Sequence, residues 1–423
     1  MQKHIAIVPL IGGMAIGAEM ELGCPPEAVF SYDAFELNDS FLRAWYSKRE
    51  LNVPYISLDQ HPAYEPDFGE IDLVTSVCPC SGLSAANTSA GAGCQQNEWM
   101  YKSTEWALSK IRPKVLVGEN APRLYGSFGQ LVALKLRDIA ARYGYLLTLV
   151  KTSTHFHGIP QKRERSFFVL LRDTELPPIF NRDQSFYDGT WMDYLDSFKD
   201  DDSKGLESRS EHNDEMWKIL LEGTKLSKEE IRDLIITTRS SLLTQICMHE
   251  PELRDKYIDE YIESEDKVKA SLARKFHYTR EKMKKSGCCN VWDTSPYFTS
   301  ALYFPSVMYK TVCRVHHNRD VRTLTPREQM RLMGLPETMD VPRSYLNAIA
   351  QNVPTCTARW ICREALAAVE GRRPVFTDEL VGDRIFRQSN LNGTTTPGMG
   401  AGQHLTKLIE AEEVKINHEF ALV

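Results

Sequence analysis

An α/β fold built on a mostly parallel sheet is the class this 423-residue sequence predicts, and three observations carry it. Short apolar runs alternate with amphipathic segments through the first 172 residues. The texture then turns polar and charged from about 173 to 315. It returns to α/β from about 322 to 370. Taken in order, the runs expected as strands are Ile5–Val8, Ala28–Tyr32, Ile71–Val77, Lys114–Gly118, Tyr145–Lys151 and Phe167–Leu171. Between them, Trp99–Ile111 and Leu131–Tyr143 carry apolar residues at helical spacing. Such alternation implies a sheet covered by helices on both faces. Ligands in sheets of this kind bind beyond the carboxyl ends of the strands.

The middle region reads as a separate domain. Residues 196 to 266 are rich in charge and largely helical in period, whereas 286 to 312 are aromatic and β-rich. Thr325-Pro326-Arg327-Glu328 reads as a helix start, with a Thr cap, Pro in the first turn and Glu three residues on. Beyond Gly371 comes a tail containing the Gly/Thr-rich stretch 392–400.

Composition sets bounds. Hydrophobic residues are 42% and charged residues 26%, an ordinary balance for a water-soluble chain. No apolar run approaches the ~18 residues of a membrane span, and Met1–Val8 reads as a first strand rather than a signal peptide. The ten cysteines show neither zinc-knuckle nor redox spacing, so no metal site is expected and a reducing cytoplasm is. The net charge of −6 weighs weakly against a nucleic-acid partner. Its distribution weighs the other way, because Lys267, Lys269, Arg274, Lys275, Arg280, Lys282, Lys284 and Lys285 face only Glu281 in that stretch.

Three motifs carry chemistry. Val77-Cys78-Pro79-Cys80-Ser81-Gly82 places a thiol on a loop after an apolar strand. A thiolate can add to carbon 6 of a cytosine ring, and so make carbon 5 attack an electrophilic methyl group. Cys78 reads as an inert neighbour; the bland alternative makes Cys80 one more buried thiol. Glu119 follows the strand ending at Gly118. Its carboxyl could bond ring nitrogen 3 and neutralise charge, if burial keeps a proton on it. The alternative is a Glu that favours a helix start. Gln161, Arg163 and Arg165 alternate, so on a strand all three share one face. Arg165 could hold ring oxygen 2, and Arg163 a phosphate or the Glu119 loop. An edge strand displaying solvated charge is the alternative.

In this order the motifs resemble the signature blocks of the cytosine-C5 DNA methyltransferases, over roughly residues 4–172 and 314–370. The resemblance implies a Rossmann-like S-adenosylmethionine-dependent methyltransferase fold with an inserted target-recognition domain. Its catalytic domain is expected over 1–172 and 315–371, the recognition domain with a helical insertion over 173–314, and a C-terminal extension over 372–423. Ile11, Gly12 and Gly13 resemble the block that cradles S-adenosylmethionine; Asp33 the acid on its ribose; Asp59 the one near adenine. Pro79, and Gln351 with Asn352 in the last block, complete the expected cofactor contacts. Cys80, Glu119, Arg163 and Arg165 take the catalytic roles. Ser84, Gln161, Arg274, Lys275, Lys282, Lys284 and Lys285 are the expected DNA contacts. Arg322–Glu328 and Arg331–Pro336 resemble the block supporting the recognition domain.

The sequence departs from the family pattern at several positions. Leu10 stands where glycine is usual, Val8 where Phe is, and Ser81 where Gln is. Gln95-Gln96-Asn97 replaces an expected Arg-Gly pair before Trp99, and Gln351 falls where Asn is expected. These departures look like a divergent, phage-type branch of the restriction-modification enzymes. They leave three alternatives open: a carboxylated S-adenosylmethionine as donor, tRNA as substrate, or a non-catalytic DNA-binding paralogue. The leading expectation is a monomeric, cytoplasmic, nucleoid-associated enzyme. It flips a cytosine from double-stranded DNA and methylates it, with no membrane partner.

Overall fold

The computed structural model describes residues 2–84, 89–182, 185–198, 211–227, 230, 246, 249–286, 303–304, 306–307, 313–314, 322–323, 325–341, 345–377 and 385–391. The chain forms two compact units, one of residues 1–186, 333–340 and 351–423, the other of 187–332 and 341–350.

The first unit is an eight-stranded sheet. Its strands are β1 (His4–Ile7), β2 (Val29–Ser31), β3 (Tyr55–Ser57), β4 (Leu73–Val77), β5 (Val115–Asn120), β6 (Tyr145–Ser153), β7 (Glu164–Arg172) and β10 (Phe386–Ser389). They lie in the order β10-β6-β7-β5-β4-β1-β2-β3. Neighbours are parallel except β7, which runs antiparallel to both β5 and β6. The expected mostly parallel sheet is therefore the one that forms, within the Rossmann-like class. β4 and β5 are buried along their whole length, as strands covered on both faces must be.

Helices α1 (Gly13–Leu22), α2 (Glu36–Lys48), α3 (Asn97–Trp106) and α4 (Gln130–Arg142) connect the strands. The expected segment Trp99–Ile111 is α3 followed by a π turn at Ala107–Ile111. α1 packs against the helix Thr355–Val369 with its backbone almost touching. A Cβ at Gly17 would lie 2.5 Å from the Ala358 Cβ and 2.7 Å from the Arg359 nitrogen. Glycine is thus required there for close approach.

Two strands had no counterpart among the expected runs. β3 is only three residues long. β10 falls within 372–423, the segment expected as an appended extension, yet it pairs in parallel with β6 from Phe386↔Thr148 to Ser389↔Lys151. The Gln388 side chain fastens it, accepting from Phe180 N at 2.9 Å and donating to Phe180 O at 2.6 Å. The unit boundaries also differ from those expected at 172 and 314. The sheet unit runs on to residue 186, and 315–332 falls in the second unit. There the helix Pro326–Leu332 packs against Trp191–Asp196. Its expected start is present: Thr325 N donates to Glu328 Oε2 at 2.9 Å and Glu328 N to Thr325 Oγ1 at 3.1 Å.

In the second unit the helices Glu211–Gly223, Pro251–Tyr261 and Lys267–Ser286 share a core of Met216, Leu220, Tyr257, Ile258, Leu272 and Phe276. A short antiparallel pair, β8 (Cys313–Arg314) with β9 (Arg322–Thr323), is also present. Most of the aromatic stretch expected as β-rich, 286–312, lies outside the described residues.

One buried acid gives the sheet unit a pH signature. Asp39 on α2 is fully buried and accepts the Tyr55 hydroxyl at 3.2 Å. Burial pushes its carboxyl from 3.8 up to about 7, against the lowering pull of its hydrogen-bond donors and Arg43. The folded state therefore holds a proton that the unfolded chain releases. The associated stability is complete below about pH 4 and is lost as pH rises through 7. Asp39→Asn should consequently gain about 2–3 kcal/mol on the wild type between pH 5 and pH 8. Urea unfolding at both pH values measures this; a constant difference between the two proteins would contradict it.

Candidate active site

The site is assembled at the carboxyl ends of β1, β4 and β5. β4 ends at Val77, which is in register with Glu119 of β5. β5 runs to Asn120, so Glu119 lies inside the strand rather than after it. Gly118 makes that strand possible beside β7. A Cβ there would fall 1.9 Å from the Phe168 ring, its register partner. The ring fills the space over Gly118.

After β4, Pro79 turns the chain into a one-turn 3₁₀ helix, Cys80–Gly82, closed by Leu83 N donating to Cys80 O at 3.0 Å. Cys80 is half-buried. Cys78 behaves as the inert neighbour: its sulfur is buried, 3.0 Å from Ser103 Oγ, and burial pushes the thiol up to about 11.

Glu119 is 2% exposed. Arg165 Nε approaches its Oε1 to 2.7 Å. The two atoms are out of line, and neither has a hydrogen-bond partner among the described residues. The contact is therefore an ion pair in distance only, and the carboxyl keeps capacity for another donor. Burial raises the Glu119 carboxyl, opposed by the charges of Arg165 and then Arg163. Burial likewise raises the Cys80 thiol; the negative charge of Glu119 adds to this, and the two arginines oppose it. All four expected catalytic groups therefore share one electrostatic neighbourhood.

The arginine motif is arranged differently from the expected strand. β7 begins only at Glu164, and Gln161 and Arg163 sit on tight turns, Gln161 N to Ile159 O at 2.7 Å and Arg163 N to Gln161 O at 2.9 Å. The three side chains consequently diverge. Arg165 meets Glu119. Arg163, 2% exposed, donates to the Asn352 carbonyl at 2.9 Å, which suits a buried clamp and not a contact to a solvent-facing phosphate. Gln161 is fully buried with its amide 3.7 Å from Met333 Sδ, so the expected DNA contact has no outward surface here.

The expected cofactor loop follows β1. Val8 (φ 45°) and Leu10 (φ 53°) are left-handed, as is Gly12 (φ 104°). Leu10 thus keeps the backbone that glycine would adopt, at a cost of roughly 1–2 kcal/mol. Ile11 is buried. Gly13 N donates to Asn352 Oδ1 at 2.8 Å, and a Cβ on Gly13 would lie 1.9 Å from the Val353 carbonyl. The last block is therefore locked to the first through Asn352, while Gln351 is exposed. Gly13→Ala should lose about 2 kcal/mol of stability in denaturant unfolding; wild-type stability would show the loop to be looser than this.

Asp33 and Asp59 stand exposed at the ends of β2 and β3. Asp33 N donates to Asp59 Oδ2 at 2.9 Å, and Asp33 Oδ1 accepts from Ser57 Oγ at 2.6 Å. A cleft of about 290 Å³ opens beside them, lined by Asp33, Arg43, Tyr55, Ser57, Gln60 and His61. Pro79 and Ser84 flank the thiol turn and are partly exposed. On the helix Lys267–Ser286, Arg274 is exposed and Lys275 half-buried. Lys284 is also exposed and pairs with Glu281 at 3.0 Å. The side chains of Lys282 and Lys285 lie outside the described residues.

A family model, C-5 cytosine-specific DNA methylase, matches residues 4–353. The chain belongs to that family. C-5 cytosine-specific methylases are S-adenosylmethionine-dependent, so methyl transfer to cytosine from that donor is the activity class. A search of curated proteins finds no match. Among solved structures, a protein described as a DNA modification methyltransferase encoded within an E. coli prophage is 15% identical. The match covers 88% of this chain and 100% of that one, with a TM-score of 0.52. The Entamoeba histolytica methyltransferase EhMeth is 14% identical over 87% and 98% (TM-score 0.48), and Spodoptera frugiperda DNMT2 10% over 86% and 99% (TM-score 0.46). The prophage protein bears on the fold alone. Among the described residues no helix is long and apolar enough to cross a membrane.

The residues present fit the methylase cofactor. The glycine pair lets the loop after β1 lie against Leu42 and the last block with no room for a side chain, Asn352 Nδ2 is buried without a partner among the described residues, and two carboxylates stand at the β2 and β3 ends. Nothing supports a carboxylated donor, since Val8–Ala18 carries no cation. Sequence reasoning missed two buried residues of this methylase, Asp39 beside the cofactor loop and Asn97 behind the thiol turn. Neither has a sequence signature: both are polar residues on helices, where solvent exposure is the ordinary expectation.

Proposed function

We propose that the protein methylates carbon 5 of a cytosine flipped out of double-stranded DNA, through a transient bond from Cys80 to the ring. The observation that carries this reading is the buried, incompletely bonded Glu119 carboxyl beside the thiol turn and against Arg165. A group so placed can bond an incoming polar ring edge; an ordinary structural acid would be satisfied already.

Cys80 gives up its proton to solvent and its sulfur adds to carbon 6, moving an electron pair through the ring toward nitrogen 3, where Glu119 delivers a proton. Arg165 and Arg163 offset the negative charge as the thiolate forms. The donor bound at Ile11, Gly12, Gly13, Asp33, Asp59, Pro79 and Asn352 supplies an electrophilic methyl group. Carbon 5 takes the methyl from the donor's sulfur, which leaves as a neutral thioether, and Glu119 takes back the nitrogen 3 proton. Loss of the carbon 5 proton to water then expels the Cys80 sulfur as a thiolate, which regains a proton from solvent. Flipping the base costs roughly a few kcal/mol, which phosphate contacts must offset. We assign those contacts to the basic helix Lys267–Ser286, with Arg274, Lys275 and Lys284 as its members and Lys282 and Lys285 as further candidates. The reading takes the protein as a monomer in the cytoplasm, beside the nucleoid.

Incubation with S-adenosylmethionine and duplex DNA carrying 5-fluorocytosine tests it, because fluorine blocks the final proton loss. A stable adduct on the Cys80 peptide by mass spectrometry is expected. An adduct with tRNA and none with DNA would move the substrate; none with either would overturn the reading. Charge reversal at Arg274 and Lys284 should weaken DNA binding and lower its salt slope by about 2; an unchanged slope would remove this helix from the interface.

A further inference from the structure

We propose that Asn97 is the positioning residue of the nucleophile turn. It stands where the family's Arg-Gly pair is expected, at the start of α3, and is 1% exposed. Its Nδ2 donates to Gly91 O at 2.9 Å and to Ala92 O at 3.3 Å. Gly91 N in turn donates to Gly82 O at 2.9 Å. Gly82 is the last residue of the turn that begins with Cys80. The chain from the Asn97 amide to the thiol is thus two hydrogen bonds and one tight turn.

The other side of the same amide presses on the turn directly. Asn97 Oδ1 is so near Gly82 that a Cβ there would meet it at 2.2 Å. The oxygen is buried and has no hydrogen-bond partner among the described residues. That approach leaves no room for a side chain at 82, so the amide and the end of the turn are held against one another. Asn97 N donates to Cys94 O at 3.0 Å, and Cys94 N to Gly91 O at 3.1 Å, so the returning limb of the loop is a run of short turns ending at the amide. The Asn97 side chain therefore ties down Gly91 and Ala92 and, through Gly91 N, the Gly82 end of the turn that carries the Cys80 sulfur. Glycine at 82 and asparagine at 97 form a matched pair: a larger residue at 82 displaces the amide, and a shorter one at 97 frees the loop.

This inference rests on Cys80 being the nucleophile, but its test need not. Alkylation of the native full-length protein by iodoacetamide, assigned cysteine by cysteine from fragment ions, reads the thiol's placement without substrate. In Asn97→Ala the Cys80 rate should change about 10-fold while the buried Cys78 and Cys362 keep their wild-type rates. A merely structural loss would move all three together. Should Asn97→Ala fail to fold, Asn97→Ser, which keeps a donor in smaller volume, carries the same comparison. In the 5-fluorocytosine assay the adduct rate should fall about 10-fold with DNA affinity unchanged. Equal Cys80 alkylation in variant and wild type, or parallel change at all three cysteines, overturns the assignment. An alkylation change at Cys80 alone, with no adduct in wild type, upholds Asn97 and rejects the methylation reading.

Discussion

Cys80→Ser is expected to lose at least about 10³-fold in methyl transfer, about 4 kcal/mol of transition-state stabilisation. A serine oxygen fits the half-buried turn, so the fold and DNA binding should survive. What disappears is the nucleophile. A hydroxyl near neutral pH has almost no anionic fraction, and the burial that already raises the thiol penalises an alkoxide further. Tritiated-methyl transfer to duplex DNA measures the effect, with filter binding as the control. Retained activity would remove Cys80 from the chemistry. The same assay on Cys78→Ser should stay near wild type, because that sulfur faces Ser103 inside the sheet unit and not the site.

Glu119→Gln should produce two changes of opposite sign. Turnover should fall about 10²-fold or more, as the proton delivered to ring nitrogen 3 is lost. The Cys80 thiol, meanwhile, should become easier to ionise, because the charge of Glu119 is one of the two causes that hold it up. In free enzyme whose Glu119 is ionised against Arg165, before a base brings its proton into play, removing that charge lowers the thiol pKa, so alkylation at pH 7–8 should quicken even as catalysis fails. Arg165→Ala should do the reverse to the thiol, since Arg165 is the first of the lowering causes. A Glu119→Gln protein with slower alkylation would show that carboxyl and sulfur do not feel one another. The pair of readouts separates a general acid from a residue that only holds the strand.

The sheet was legible because its strands are apolar runs long enough to be buried on both faces, as β4 and β5 are. Cys80 and Glu119 stood out for the same reason: each sits where such an apolar run stops, and the structure brings the two into one electrostatic neighbourhood. β3 and β10 were not, since three or four residues at the two edges of a sheet carry little apolar signal. α1 was missed because Gly13 to Ala18 are all buried, Met14 and Ile16 among them, which leaves almost no amphipathic contrast. The arginine motif was half legible. Alternation implied one shared face, but turns at Gln161 and Arg163 send the guanidiniums to different partners, and nothing in the residue types announces those turns. Asn97 belongs to the same class, a buried amide whose partners are backbone atoms of a loop. The helix Lys267–Ser286 shows its basic residues and its apolar stripe equally well in sequence and structure.

The strand β10 bears on how this enzyme is made and trimmed. It is the last part of the sheet to leave the ribosome, and until it arrives β6 presents open backbone groups over Thr148–Lys151. An uncovered strand of that kind recruits other chains. A gene fragment cut just after the helix Thr355–Val369 would keep every residue proposed for catalysis and most of the cofactor loop's supports. It would also leave β6 bare, so poor solubility of such a fragment would reflect a missing border of the sheet and not a defective active centre.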